Sequence, residues 1–229
     1  MAGKLNMKLL YAGLALIAVA GTAAIWLAAR GGGPAPVQML DEPLALGTSA
    51  FPGYVIGSDS APVEIVQYAD FTCGHCATFT VLHGPTIMNR LVQTGLARLR
   101  FRGFALYQAS LLPLNAAACA GEQGKFWEMH DALMFNQSEW FSDPEWPTSR
   151  RTHRIFRGYA RDAGVDVDSY DQCVEEGRYY DRIIATREEI AGSGLTSTPA
   201  FDVGPYRAVG MIPYDSLRAM VETVAEQQR

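Results

Sequence analysis

The 229-residue chain lacks the marks of several common function classes. It has no basic excess and no long run of like charge; its formal net charge is −5, whereas a general nucleic-acid binder usually carries a basic surface. It has no internal repeat, which argues against a solenoid or a propeller. Cysteines number only four, and only Cys73 and Cys76 stand close together. A structural zinc site usually draws four ligands from two such pairs, so a bound metal is not expected. Haem attachment needs a histidine directly after the second cysteine, and Ala77 stands there instead. No organic cofactor is called for either.

What is present suits one globular domain, perhaps with a small insertion. The apolar fraction is 48% and the charged fraction 19%, enough for a sizeable core. The N-terminus is a separate object. Lys4 and Lys8 precede LLYAGLALIAVAGTAAIWLAA, an uncharged run of 21 residues from Leu9 to Ala29. That length crosses the hydrocarbon layer as a helix, and lysines before it favour residues 1–8 in the cytoplasm. A cleaved signal peptide is the competing reading, with Ala18-Val19-Ala20 as a cleavage site. Both readings export the remainder, as a membrane-anchored or a released domain in the periplasm or cell envelope. Residues 30–47 are rich in glycine and proline and read as a spacer before a domain over 48–229.

Within that domain PVEIVQY, Pro62 to Tyr68, reads as a buried strand, and ARLRFRGF, Ala97 to Phe104, as a second. A helix from about Cys73 to Val92 lies between them, which makes a βαβ unit with parallel strands. Residues from about 109 to 180 are helical, broken at SDPEWPTS. Further on, Gly192 and Gly194 stop a helix, Pro199–Val203 and Tyr206–Gly210 form two short strands, and a last helix starts at Tyr214. Strands at both ends with about seventy helical residues between them describe an α/β domain carrying an inserted helical block.

FTCGHCATF places Cys73 where a strand ends and a helix begins. Unpaired N–H groups and the helix dipole favour an anion there, so the thiol pKa should fall and the sulfur become a good leaving group. A protonated His75 would stabilise the same thiolate. Cys76, one turn on, is placed to close a disulfide with Cys73.

VEIVQYADFTCGHC resembles the active-site segment of the thioredoxin superfamily, most closely the DsbA-like thiol–disulfide oxidoreductases of membrane-anchored type. APVEIVQYADF, CAGEQGKFWEMHDALM and GLTSTPAF resemble further segments of that family, in the same order and over nearly the whole exported domain. The resemblance implies a thioredoxin fold with an inserted helical domain, client proteins with cysteine thiols as partners, and a DsbB-type membrane oxidant. It also implies a cis-proline at Pro199, with the Thr198 backbone facing the cysteines and binding substrate by strand addition. One departure stands out: relatives commonly carry a buried acid six positions before the first cysteine, and Gln67 is found here. Neither Asp70 nor Glu64 is a safe substitute. Reductase or isomerase chemistry, or a non-catalytic chaperone or metal carrier using the same groove, are the rival functions. Dimeric relatives usually carry an extra N-terminal domain, so a monomer is expected.

Cys119 and Cys173 lie in the helical block without close neighbours. In an exported chain a structural disulfide is favoured over two buried thiols, and closing a loop of about 54 residues contributes about 3–4 kcal/mol. His83, His130 and His153 are scattered, and His130 is expected to be packed. Trp127, Trp140, Trp146 and Phe141 read as core or as a peptide-binding surface. RRTHRIFR reads as a solvated basic helix face.

Overall fold

The computed structural model describes residues 51–228, together with Gly13, Val19, Thr22, residues 37–40 and Ser49. The chain divides into residues 1–34 and 35–229. Apart from Gly13, Val19 and Thr22, the expected membrane or signal segment over 9–29 lies outside the described residues. Among the described residues no helix is long and apolar enough to cross a membrane.

The second unit is built on strands β1 (Val37–Met39), β2 (Tyr54–Ile56), β3 (Val63–Ala69), β4 (Ala97–Gly103), β5 (Ala200–Val203) and β6 (Tyr206–Val209). The order across the sheet is β1-β6-β5-β3-β4-β2. β3 and β4 run parallel, with Ile65 opposite Leu99, and the other neighbours are antiparallel. The spacer reading of residues 30–47 is corrected in part, because Val37–Met39 pairs with Tyr206–Ala208 as an edge strand. Its three residues, Val-Gln-Met, are all exposed, and so short a run did not announce a strand in the sequence.

β3 is central and buried on both faces, as its β-branched composition predicts. On one face Val63 and Ile65 pack with Phe79, Phe201 and Leu217. On the other, Val66 and Tyr68 pack with Ile190. Successive side chains of a strand point to opposite faces, so this single strand joins both layers. Glu64, the one residue of β3 that is not buried, is held by Arg98 and Arg100 of β4 at 2.5 and 2.8 Å.

Helix α1 (Gly74–Ile87) follows β3 and continues as a π-turn through Val92. Between β4 and β5 come α2 (Leu111–Glu122), α3 (Phe126–Phe135), α4 (Gln137–Phe141), α5 (Arg150–Asp162), α6 (Val167–Glu175) and α7 (Tyr180–Gly192). α2 to α6 form the inserted helical block; α7 returns to the sheet through Ile190. The last helix, α8 (Tyr214–Gln227), packs Leu217 and Val221 under the sheet.

The block has its own core. Trp140 is fully buried, and its indole N–H donates to the Leu133 carbonyl at 3.0 Å, with Trp146 and Phe156 against it. Trp140 is therefore core, whereas Phe141 is exposed. Cys119 of α2 and Cys173 of α6 form a disulfide across 54 residues, with Cα atoms 5.8 Å apart. The basic segment is α5, capped by Ser149, and its Arg157 pairs with Asp171 at 2.6 Å on the outer surface.

Candidate active site

Cys73 occupies the N-cap of α1, with an extended backbone. Its carbonyl accepts the first helical bonds from the Cys76 and Ala77 N–H groups, at 3.0 and 3.1 Å. The sulfur therefore stands at the mouth of a helix, where free N–H groups concentrate positive charge. Both sulfurs are free thiols; Cys73 is half-buried and Cys76 buried.

The two thiols are driven apart electrostatically. The Cys73 thiol is drawn down to about 5, chiefly by a hydrogen bond from Cys76, with help from Thr198 and the Cys76 and His75 backbone N–H groups, and against partial burial. Cys76 is pushed well above its ordinary range by burial and by the neighbouring Cys73 sulfur. Charge stabilised on one sulfur is thus denied to the other. His75 contributes through its backbone; its side chain is exposed, and the imidazole is not among the groups that lower the Cys73 pKa.

The Thr198–Pro199 bond is cis, as is Trp146–Pro147, which the sequence did not announce. Thr198 lies over the pair, and the Cys73 thiol donates to its carbonyl at 3.5 Å. A carbonyl can only accept, so the fall in pKa comes from the donors around the sulfur. The Thr198 hydroxyl is buried without a partner in the dithiol form and favours the thiolate on either cysteine.

Asp70 is fully buried and its carboxylate is wholly engaged. One oxygen accepts from the Thr72 N–H and hydroxyl at 2.8 and 2.9 Å; the other accepts from the Leu106 N–H at 2.9 Å and the Ser110 hydroxyl at 2.6 Å. This latch fastens the cysteine loop to the segment joining β4 and α2. Gln67 is buried beneath α1 on the face of β3 shared with Ile65. Gln137 of α4 is a site neighbour that no sequence signal singled out: its amide donates to the Phe71 carbonyl at 2.6 Å, beside Gly74. Only packing of the helical block against the sheet brings it there.

The arrangement pairs a stabilised half-exposed thiolate with a buried protonated thiol, beneath the Thr198–Pro199 segment. The sequence profile of the family described as thioredoxin matches residues 50–223. The chain belongs to the thioredoxin family. Similar proteins include an antiporter, "Na(+)/H(+) antiporter NhaA 3" of Salinispora tropica, 30% identical over 171 residues. That match covers 73% of this chain and 24% of the antiporter. A Rickettsia felis protein, provisionally named a protein-disulfide oxidoreductase, is 23% identical over 176 residues, 76% of this chain and 61% of that one. The thioredoxin-family chain thus spans a quarter to three fifths of the length of these relatives. Among solved structures, α-DsbA1 of Wolbachia pipientis superposes with a TM-score of 0.66 at 20% identity, over 76% of this chain and 91% of the other. That likeness establishes the fold: a DsbA-like thioredoxin fold with a helical insertion.

Proposed function

We propose that this chain is an extracytoplasmic thiol–disulfide oxidoreductase that oxidises client protein thiols through Cys73 and Cys76. The observation that carries the reading is the split of the two thiols, one lowered to about 5 at a helix start and the other raised by burial. A stabilised Cys73 thiolate favours the reduced pair, so the disulfide form is an oxidant.

In that direction a client thiolate attacks the Cys73 sulfur of the Cys73–Cys76 disulfide. The S–S bond breaks, Cys76 leaves with the electron pair and takes up a proton, and a client–Cys73 mixed disulfide forms. A second client thiolate attacks the client sulfur of that bond and expels Cys73 as a thiolate. Two electrons have passed to the pair and the client holds a disulfide. Of the two client protons, one rests on Cys76 and the other passes to solvent. Gln67, an uncharged amide, takes no part as a base. Thr198 and Pro199 present backbone to the extended client. A membrane oxidant of the DsbB type reoxidises the pair, and the run over 9–29 tethers the domain or exports it.

The test is an equilibrium titration of the Cys73–Cys76 pair against glutathione. A potential well above that of the glutathione pool is expected. A strongly reducing potential would reverse the assigned direction and make the protein a reductase. Cys76→Ser should accumulate mixed disulfides with clients, visible on non-reducing gels.

A further inference from the structure

A cavity of about 310 Å³ lies under α1, between that helix, the sheet and α3. Its walls are mostly apolar, among them Ile65, Phe79, Leu99, Trp127, Phe201 and Leu217. Beside the exposed Asp131 of α3, three polar side chains from three different elements line it: Gln67 of β3, Thr80 of α1 and His130 of α3. They are buried, exposed by only 4, 6 and 4% respectively. Among the described residues, Thr80 Oγ1 and His130 Nε2 have no hydrogen-bond partner. A buried polar atom left unpaired costs about 1–3 kcal/mol, so each calls for a partner.

The chemistry of these groups narrows the occupant. His130 Nδ1 lies 2.9 Å from an Asp131 carboxylate oxygen. A carboxylate only accepts, so Nδ1 carries a proton, and in the neutral ring Nε2 is an acceptor. The Thr80 hydroxyl and the Gln67 amide can both donate. A hydroxyl head can give its hydrogen to Nε2 and accept on its oxygen from such a donor. A carboxylate would offer Nε2 no hydrogen and would meet Asp131, which lines the same cavity.

We propose that this cavity binds a small neutral ring compound bearing a hydroxyl group, of the phenol class. Its body packs against Phe79, Trp127 and Leu217, and its hydroxyl sits among His130, Thr80 and Gln67. An apolar cavity of about 150 Å³ takes up benzene, so this space accommodates a fused bicyclic ring. A water molecule can meet the polar corner, but the apolar remainder of the wall offers none of the two to four polar partners each further one needs. The inference uses neither cysteine and stands independently of the redox function.

The test is calorimetric titration of the full chain with 2-naphthol and, separately, with naphthalene, with amide NMR shifts locating the site. One saturable 2-naphthol site is expected, shifting Thr80 and Gln67 amides, with naphthalene at least tenfold weaker. Thr80→Val and His130→Phe should each remove most of that advantage while leaving naphthalene binding unchanged. Should His130→Phe fail to fold, the near-isosteric Thr80→Val carries the same readout. Absence of saturable binding, equal affinity for the two probes, shifts confined to the outer surface, or a soaked crystal showing ordered water only would each overturn the proposal.

Discussion

Two cysteine pairs share this small domain and have opposite chemistry. Cys119 and Cys173 are bonded and wholly buried in the helical block, among apolar neighbours such as Phe156 and Tyr170. Cys73 and Cys76 are free thiols, and Cys73 is half-exposed. The difference is one of position. Cys119 lies inside a helix whose backbone N–H groups are already engaged, so nothing nearby stabilises a thiolate. Cys73 sits before the first turn of α1, where N–H groups have no carbonyl to bond. One pair ties two helices together; the other is poised to exchange.

The sharpest way to break that comparison is to exchange a sulfur in each pair. Cys73→Ser should reduce client dithiol oxidation and insulin reduction to background, whereas Cys119→Ala with Cys173→Ala should leave turnover measurable. Turnover by Cys73→Ser at the parent rate would sink the assignment.

Next in size is the pH response. Alkylation of Cys73 by iodoacetamide should follow a titration with its midpoint near pH 5, far below the ordinary thiol value of 9.0. A depressed folded-state pKa stabilises the folded dithiol above the ordinary value, and this stability fades as pH falls from about 9 through about 5. Cys76, shifted upward, acts in the opposite sense and only as pH rises above about 9. Urea unfolding of the reduced protein should therefore show stability declining steadily as pH falls across that window. A midpoint near 9 in the alkylation profile would remove the electrostatic distinction between the pairs.

The bonded pair is tested by stability. Removing it should lower the unfolding free energy by about 3–4 kcal/mol in the chain-entropy account, read from denaturant midpoints in the Cys119→Ala, Cys173→Ala double variant. A loss below about 1 kcal/mol would mean that the helical block holds itself together without the bridge. The smallest effect concerns the latch behind the reactive pair. Asp70→Asn keeps one acceptor oxygen but turns an N–H₂ group toward donors now bonded to the other. A loss of about 1–3 kcal/mol is expected. If stability were unchanged, the cysteine loop would be held by α1 alone.

Much of this was legible in the residues because it depends on local chemistry. The strand PVEIVQY, the cysteine spacing, the glycine stops and the helix starts are short-range signals. The placement of Cys73 at a helix mouth follows from them directly. Three features were not legible in that way. β1 is three residues long and exposed throughout, so only its pairing with β6 reveals it. Asp70 stands near the cysteine motif in the sequence, but only the structure shows its oxygens spent on Thr72, Leu106 and Ser110, the last 40 residues distant. His75 was expected to act through its ring, yet the helix geometry presents its backbone N–H instead.

The sequence by itself determined the reactive motif, the apolar strand beneath it and the helical character of the middle of the chain. These are set by side-chain type and spacing over a few residues. Only the tertiary structure decided which sulfur loses its proton, that Cys119 meets Cys173, and that Gln67, Thr80 and His130 share one cavity. Those outcomes depend on burial and on groups far apart in the chain, and a one-dimensional pattern carries neither.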